Sequence, residues 1–236
     1  MLRVMVCGAR TEAEVEMLVR AGVHAIGLIT EVWQPLACNL TREEARQLCR
    51  RVPPFVETVL VLTEERPEEI CRLVERVRPA AVQLHGFNPP EAVAFLRERL
   101  PVRIVKTLHL DGDRLVGPGG PPEAREETLA REYLEAGADA LLVDRFHRGK
   151  VGATGRRVDL GVARRLREYI RPKPLILAGG LHAANLVRAV RTVRPFAVDV
   201  FSGAATNGRL NPRKVRALVE AARRAGALTY PTLNLT

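Results

Sequence analysis

The chain has 236 residues, 47% of them hydrophobic and 27% charged, with a formal net charge of +10. That length suits one α/β barrel domain and supplies enough apolar residues for a sizeable core. No apolar run approaches the length of a membrane span and the first residues lack a secretory-signal pattern, so a soluble, cytoplasmic protein with no membrane contact is expected.

The positive charge is almost all arginine, spread over nearly every predicted helix and interleaved with glutamate, as in EEARQLCRR at 43 to 51. Aromatics are only 4% of the chain, and no basic cluster is interleaved with them. This is a solvated surface and not a nucleic-acid footprint, so no nucleic-acid partner is expected. A phosphorylated small molecule would be drawn to such a field. Cys7, Cys38, Cys49 and Cys71 are scattered, with no CxxC pair or metal-finger spacing, and reduced thiols are expected.

In chain order, LRVMV (Leu2 to Val6) is a first strand ending at Cys7 and Gly8. Thr11 and Glu14 have capping-box spacing for a helix reaching about Arg20. AGVHAIGLIT (21 to 30) supplies a glycine stop and a second strand, a loop covers 31 to 40, and Thr41 with Glu44 opens the next helix. FVETVLVL (55 to 62) is the third strand, followed by a helix from about Pro67. AAVQL (80 to 84) is the fourth, ending at His85 and Gly86, and Asn88 with Pro89 reads as an N-cap and first helical residue. VRIVKTL (102 to 108) is the fifth strand.

Glycine, proline and charge over 109 to 122 predict a surface excursion. A helix over about 123 to 136 follows, then the strand ADALLVD (138 to 144) and a long loop, 145 to 157. A helix from about Asp159 leads to LILA (Leu175 to Ala178), which runs into Gly179 and Gly180 and a helix through Val190. FAVDV (Phe196 to Val200) runs into Ser202 and Gly203. The last helix covers about Pro212 to Arg224. The expected boundaries are a barrel over 1 to 226 and a tail over 227 to 236.

Eight strand–helix alternations predict a closed (β/α)8 TIM barrel of parallel strands. VRPAAVQL from Val77 is echoed by VRPFAVDV from Val193, about half the chain later. A doubly wound open sheet is the runner-up, but no GxGxxG or P-loop pattern follows the first strand. The glycine turns after the last two strands let backbone N–H groups approach an anion, beside helix N-termini whose dipoles favour it. Barrel phosphate sites are often built there. Tight strand-to-helix turns alone would also use glycine.

Catalytic groups in a barrel belong at the carboxyl ends of strands. Those positions are Cys7, Thr30, Thr63, His85, Lys106 or Thr107, Asp144, Gly179 and Ser202. Cys7 and Asp144 are the candidates for proton transfer, since a strand-end thiol can lose its proton and an aspartate in a partly apolar mouth can be held protonated. Taken singly, Cys7 could be a small buried hydrophobe and Asp144 a helix cap or salt-bridge partner. Asp199, inside a strand, could face the interior and hold another polar group. His85 could be a satisfied rim histidine.

Seven motifs together resemble the phosphoribosylanthranilate isomerase family. They are Cys7-Gly8, VQLHG (82 to 86), the VK of IVKTL, LLVD (141 to 144), GATG (152 to 155), LAGGL (177 to 181) and RPFAVDVFSG (194 to 203). The resemblance implies an Amadori rearrangement in tryptophan synthesis with neither metal nor organic cofactor. An acid protonates the furanose ring oxygen, the ring opens to a Schiff base, and a base removes the sugar C2 proton. It implies Cys7 as the base, Asp144 as the acid, and Asp199, His85 and Gln83 as substrate-positioning residues. It implies a phosphate site of Gly152, Gly155, Gly179, Gly180, Ser202 and Gly203. A phosphorylated small molecule is the expected ligand, bound by a monomer or homodimer.

The chain departs from that pattern at the aromatic-acid end. ACNLT (37 to 41) puts Cys38 where the family pattern has an arginine for the anthranilate carboxylate, removing a natural bidentate partner. Met5 stands in place of a lysine, and Ala204-Ala205 in place of Val-Glu. Arg42, Arg145, Arg148 and Arg156 are candidate replacements for the missing arginine. An isomerase of this family is the first reading, a paralogous sugar-phosphate enzyme the second, and a non-catalytic phosphate-ligand binder the third.

Overall fold

A computed structural model describes residues 2–33, 36–116, 126–147, 150–151 and 157–229. The elements in order are β1 (Arg3–Cys7), α1 (Glu12–Ala21), β2 (Ala25–Ile29), α2 (Arg42–Arg51), β3 (Glu57–Leu62), α3 (Pro67–Val77), β4 (Ala81–Leu84) and α4 (Pro90–Arg99). They continue with β5 (Arg103–Asp111), β6 (Arg114–Val116), α5 (Glu126–Glu135), β7 (Ala140–His147), β8 (Lys150–Val151), α6 (Leu160–Tyr169), β9 (Leu175–Leu177) and α7 (Ala183–Val193). The last are β10 (Ala197–Val200), a 3-10 turn (Ser202–Ala204), β11 (Ala205–Thr206), β12 (Arg209–Leu210) and α8 (Pro212–Thr229).

Eight of the strands are parallel and close a ring in the order β1, β2, β3, β4, β5, β7, β9, β10. This is the expected barrel. Its strands read as near-continuous apolar runs because both faces are covered. Outward side chains such as Val6, Ile26, Leu28, Leu60, Val82, Ile104 and Leu177 pack beneath the helices in the largest apolar cluster. Inward side chains form two smaller clusters, one around Met5, Cys7, Val59 and Val61 and one around Val105, Leu142, Ile176 and Ala197. Period-2 alternation therefore decides which residues can reach the mouth.

Several boundaries differ from those expected. β5 does not stop at Leu108. It continues to Asp111 and turns at Gly112 (φ 67°) into the antiparallel β6, so His109 and Leu110 are buried and the excursion begins only at the hairpin tip. The two-residue loop Gly112-Asp113, with glycine at its first position, is a favoured hairpin connection. β7 likewise runs on through His147 and pairs back with β8, inside the segment expected to be loop.

Asn88 is not the cap of α4. Pro89 occupies that place, and the buried Asn88 donates through Nδ2 to the Glu64 carbonyl (2.9 Å) while its backbone carbonyl accepts from the Tyr133 hydroxyl (2.8 Å). α8 extends past Arg224 to Thr229, since Ala221, Ala222, Ala225 and Gly226 continue its buried stripe. Gly226 faces Leu2, and a Cβ there would be in ordinary contact with it, 3.4 Å from the Leu2 Cβ. The domain boundary expected at 226 thus falls within a helix, and the rest of the tail from 230 lies outside the described residues.

Candidate active site

The mouth is formed by the carboxyl ends of the strands, where the inward alternation brings polar side chains together. On β1, Val4 and Val6 point outward and Met5 and Cys7 inward. Cys7 lies beside Gly27 of β2, and a Cβ on Gly27 would collide with the Cys7 sulfur. That strand glycine therefore makes room for the thiol, a role that glycines inside strands often have. On β10 the same alternation turns Asp199 inward, and the Cys7 thiol donates to Asp199 Oδ1 at 3.0 Å.

Both groups are buried, at 4% and 8% exposure. Burial pushes the Cys7 thiol well above its ordinary range, and the Asp199 carboxylate raises it further. Burial likewise raises the Asp199 carboxyl to about 6, with the Asp144 charge adding to the rise and the Cys7 hydrogen bond opposing it. A thiol that resists ionisation thus sits on a carboxylate with enhanced proton affinity. Asp199 does hold another polar group, and that group is Cys7.

Asp144 ends the inward series Ala140, Leu142, Asp144 of β7. Its Oδ1 accepts the Arg145 backbone N–H at 2.7 Å, and its Oδ2 lies 3.3 Å from His85 Nε2. His85 Nδ1 is 3.1 Å from both Gln83 Nε2 and Thr107 Oγ1. An amide nitrogen donates, so with Gln83 in this orientation Nδ1 is the acceptor, and Nε2 is the ring nitrogen that faces Asp144. His109 Nε2 donates to the His85 carbonyl at 2.9 Å and fixes the histidine from the other side. Gln83 Oε1 is buried without a protein partner, an acceptor open to a ligand hydroxyl.

At the adjoining rim, Gly179 and Gly180 have φ of 83° and 63°, which only glycine adopts without strain. Gly179 also abuts Asp144, since a Cβ there would stand 3.2 Å from its Oδ1. Gly203 packs against the Leu181 carbonyl, where a Cβ would overlap it. Gly180, Ser202 and Gly203 line one cleft of about 530 Å³, with His182 and Ala183 at the N-terminus of α7 and Lys214 of α8 opposite. Gly152 and Gly155 lie outside the described residues, as do Arg148 and Arg156.

The remaining strand-end candidates divide. Thr107 joins the His85 network. Lys106 faces away from the barrel interior, bonding the carbonyls of Gly86 (2.6 Å) and Thr107 (3.0 Å) beneath the Tyr133 ring, and burial lowers its ammonium to about 7. Thr30 and Thr63 tie loop backbone, through the carbonyls of Leu40 and Glu31. Among the candidate arginines, Arg42 is engaged by Glu31 (2.8 Å) and Arg145 by Asp111 (3.1 Å). Cys38 is fully buried against the Cys7 cluster.

Three contributors escaped the sequence reading. His109 was hidden by the assumption that the strand had ended, although its place in the alternation Val105, Thr107, His109 could have revealed it. Gly27 was signalled by a glycine inside an apolar strand. Arg10, three residues after Cys7, reaches across to the Ala37 carbonyl at 2.7 Å, and among the described residues no carboxylate lies within ion-pair distance of its guanidinium. Also among the described residues, no group of three or more His, Cys, Asp or Glu side chains is placed to hold a metal ion, and no helix is long and apolar enough to cross a membrane.

A (β/α)8 barrel with an acid–base cluster at its mouth and glycine turns after its last two barrel strands belongs among the barrel enzymes that work on phosphorylated ligands. Residues 4–221 match the family model for N-(5'phosphoribosyl)anthranilate (PRA) isomerase, and the chain belongs to that family. It is 35% identical over 223 residues to the N-(5'-phosphoribosyl)anthranilate isomerase of Methanothrix thermoacetophila, covering 94% of this chain and 99% of that one. Among solved structures, the phosphoribosyl anthranilate isomerase of Thermus thermophilus superposes with a TM-score of 0.76 at 28% identity, over 94% of this chain and 99% of that one. Another, in complex with reduced 1-(o-carboxyphenylamino)-1-deoxyribulose 5-phosphate, superposes at 0.72 and 27% identity over 95% of this chain and 100% of that one.

Proposed function

We propose that this chain isomerises N-(5'-phosphoribosyl)anthranilate to the corresponding carboxyphenylamino-deoxyribulose phosphate, with Cys7 and Asp144 as the proton-transfer pair. The observation that carries the assignment is the Cys7–Asp199 hydrogen bond, seated beside the Asp144–His85 pair in one buried mouth. The phosphate docks on the turns at Gly179, Gly180, Ser202 and Gly203, where the N-terminus of α7 favours an anion. The ribose then lies over the mouth, and its hydroxyls find the open acceptor of Gln83.

Asp144 delivers a proton to the furanose ring oxygen, and the C1–O bond breaks to leave a Schiff base. The histidine beside it, held by Gln83, Thr107 and His109, keeps the acid in one orientation. Asp199 takes the proton of the Cys7 thiol, and the thiolate removes the C2 proton to give the enolamine, which tautomerises to the ketone. A buried thiolate is a strong base for a carbon acid, and Asp199 supplies the acceptor that burial would otherwise deny it. Arg10, on the loop after β1 and reaching to the loop after β2, replaces the arginine absent at Cys38 and meets the anthranilate carboxylate, since its guanidinium uses one N–H on Ala37 and retains the others.

The decisive experiment follows the fluorescence of freshly generated N-(5'-phosphoribosyl)anthranilate with wild type and with Cys7→Ser. Turnover by the wild type and its loss in a folded mutant is the expected result. A folded wild type that binds sugar phosphates without consuming this one would overturn the assignment.

A further inference from the structure

The chain holds only ten aromatic residues of the Phe, Trp and Tyr types, one of them tryptophan. Three are gathered at the mouth on loops or strand ends from different parts of the sequence. Trp33 stacks with Phe87 at 6.0 Å between centroids and 22° between planes. Phe87 in turn contacts Phe146 (6.1 Å) and His109 (5.2 Å). His109 meets His85 edge-on at 5.1 Å, and His85 Nε2 lies 3.3 Å from Asp144 Oδ2. A continuous wall of rings therefore runs from the catalytic carboxylate to the rim, where Trp33 is 50% exposed.

The wall is anchored. The Trp33 backbone N–H donates to Thr63 Oγ1 at 2.9 Å, and the same threonine binds the Glu31 carbonyl. Phe87 is held beneath by its own N–H to Glu65 (3.2 Å) and by the neighbouring buried Asn88. A half-exposed tryptophan tied down at its backbone loses little entropy when a ring stacks on it, which suits it to holding a flat ligand.

Its position around the ring selects the ligand. The phosphate turns follow β9 and β10, and the strands diametrically opposite in the closed order are β3 and β4. Thr63, which fixes Trp33, ends β3, and Phe87 follows β4. A ligand anchored by its phosphate and reacting over Cys7 and Asp144 extends its other end toward this wall. We infer that Trp33 and Phe87 form the platform on which the anthranilate ring stacks, and that Trp33 thereby positions the substrate and sets its preference for an aromatic amine. This inference rests on the proposed isomerase reading.

Because Trp33 is the sole tryptophan, its emission reports on this site alone. The probe is reduced 1-(o-carboxyphenylamino)-1-deoxyribulose 5-phosphate, with ribose 5-phosphate as the ring-free control. We expect saturable quenching of Trp33 by the first and none by the second, although ribose 5-phosphate competes for the site. Trp33→Ala and Phe87→Ala should each raise KM and the probe's Kd by about 5- to 100-fold, the range for loss of one ring stack, with kcat within about threefold. Trp33→Phe should retain most of the affinity. Wild type that turns over substrate and binds the probe, with unquenched Trp33 emission and unchanged affinity in both alanine variants, would sink this inference alone. Wild type that neither binds the probe nor turns over substrate would sink the functional assignment together with it.

Discussion

The rim proposed for the phosphate and the rim proposed for the aromatic ring are built from different materials. The first is backbone: two positive-φ glycines, a glycine packed on a carbonyl and the first turn of α7. The second is side chain, with Arg10 reaching over the Ala37 carbonyl and Trp33 and Phe87 meeting from separate loops. Backbone turns admit few substitutes, because only glycine tolerates the required approach and torsion. A cation or a flat ring can be supplied from several loops, so in this proposal Arg10 stands in for the arginine that the family resemblance implies at Cys38.

Between the rims lies the proposed proton-transfer cluster, where the largest effects are expected. Asp144→Asn should lower kcat by about 10²- to 10⁴-fold, the usual contribution of a positioned acid, with the melting temperature nearly unchanged. Single-turnover kinetics would check this, and an unimpaired mutant would remove Asp144 from the chemistry. At the phosphate rim, Gly203→Ala forces a methyl group into the Leu181 carbonyl. It should raise KM by at least about tenfold and cost about 1–3 kcal/mol in urea unfolding. At the aromatic rim, Arg10→Met should raise KM about tenfold with kcat preserved, as expected for one lost charge-assisted contact, while stability stays the same. Equal sensitivity of the two rims to conservative side-chain changes would break the contrast between them.

The smallest effect concerns stability. The Asp199 carboxyl is raised in the fold from an ordinary 3.8 to about 6. Ionising it is therefore harder in the folded than in the unfolded chain. The wild type loses stability as pH rises from about 4 to about 6 and carries the full penalty above that. Asp199→Asn removes the penalty, so it should be more stable than wild type by about 1–3 kcal/mol at pH 7.5, with the difference vanishing below about pH 4. Thermal melts across that range would show it, and a pH-independent difference would contradict the sign.

The same contrast explains what could be read from sequence. The barrel was legible because each strand is a short apolar run between helix caps and glycine stops, and such signals are local. The glycine turns at 179 to 180 and 202 to 203 and the strand-end Cys7 and Asp144 were legible for the same reason. The Cys7–Asp199 bond was not, because it joins residues 192 positions apart through the β1–β10 pairing that closes the ring. His109 was missed because a proline- and glycine-rich stretch follows it, and the strand outlasts the point where that composition suggests a break. Trp33, Phe87 and Phe146 are unremarkable singly, and only closure of the barrel makes them neighbours.

The central claim is that Cys7 and Asp199 act as one base. Its most direct test is the pH dependence of kcat/KM for wild type and Asp199→Asn. The wild type should lose activity as pH falls through about 6, where Asp199 becomes protonated and can no longer accept the thiol proton. The mutant should be slower throughout and lack that limb. A wild-type rate and an unchanged acid limb in Asp199→Asn would contradict the account.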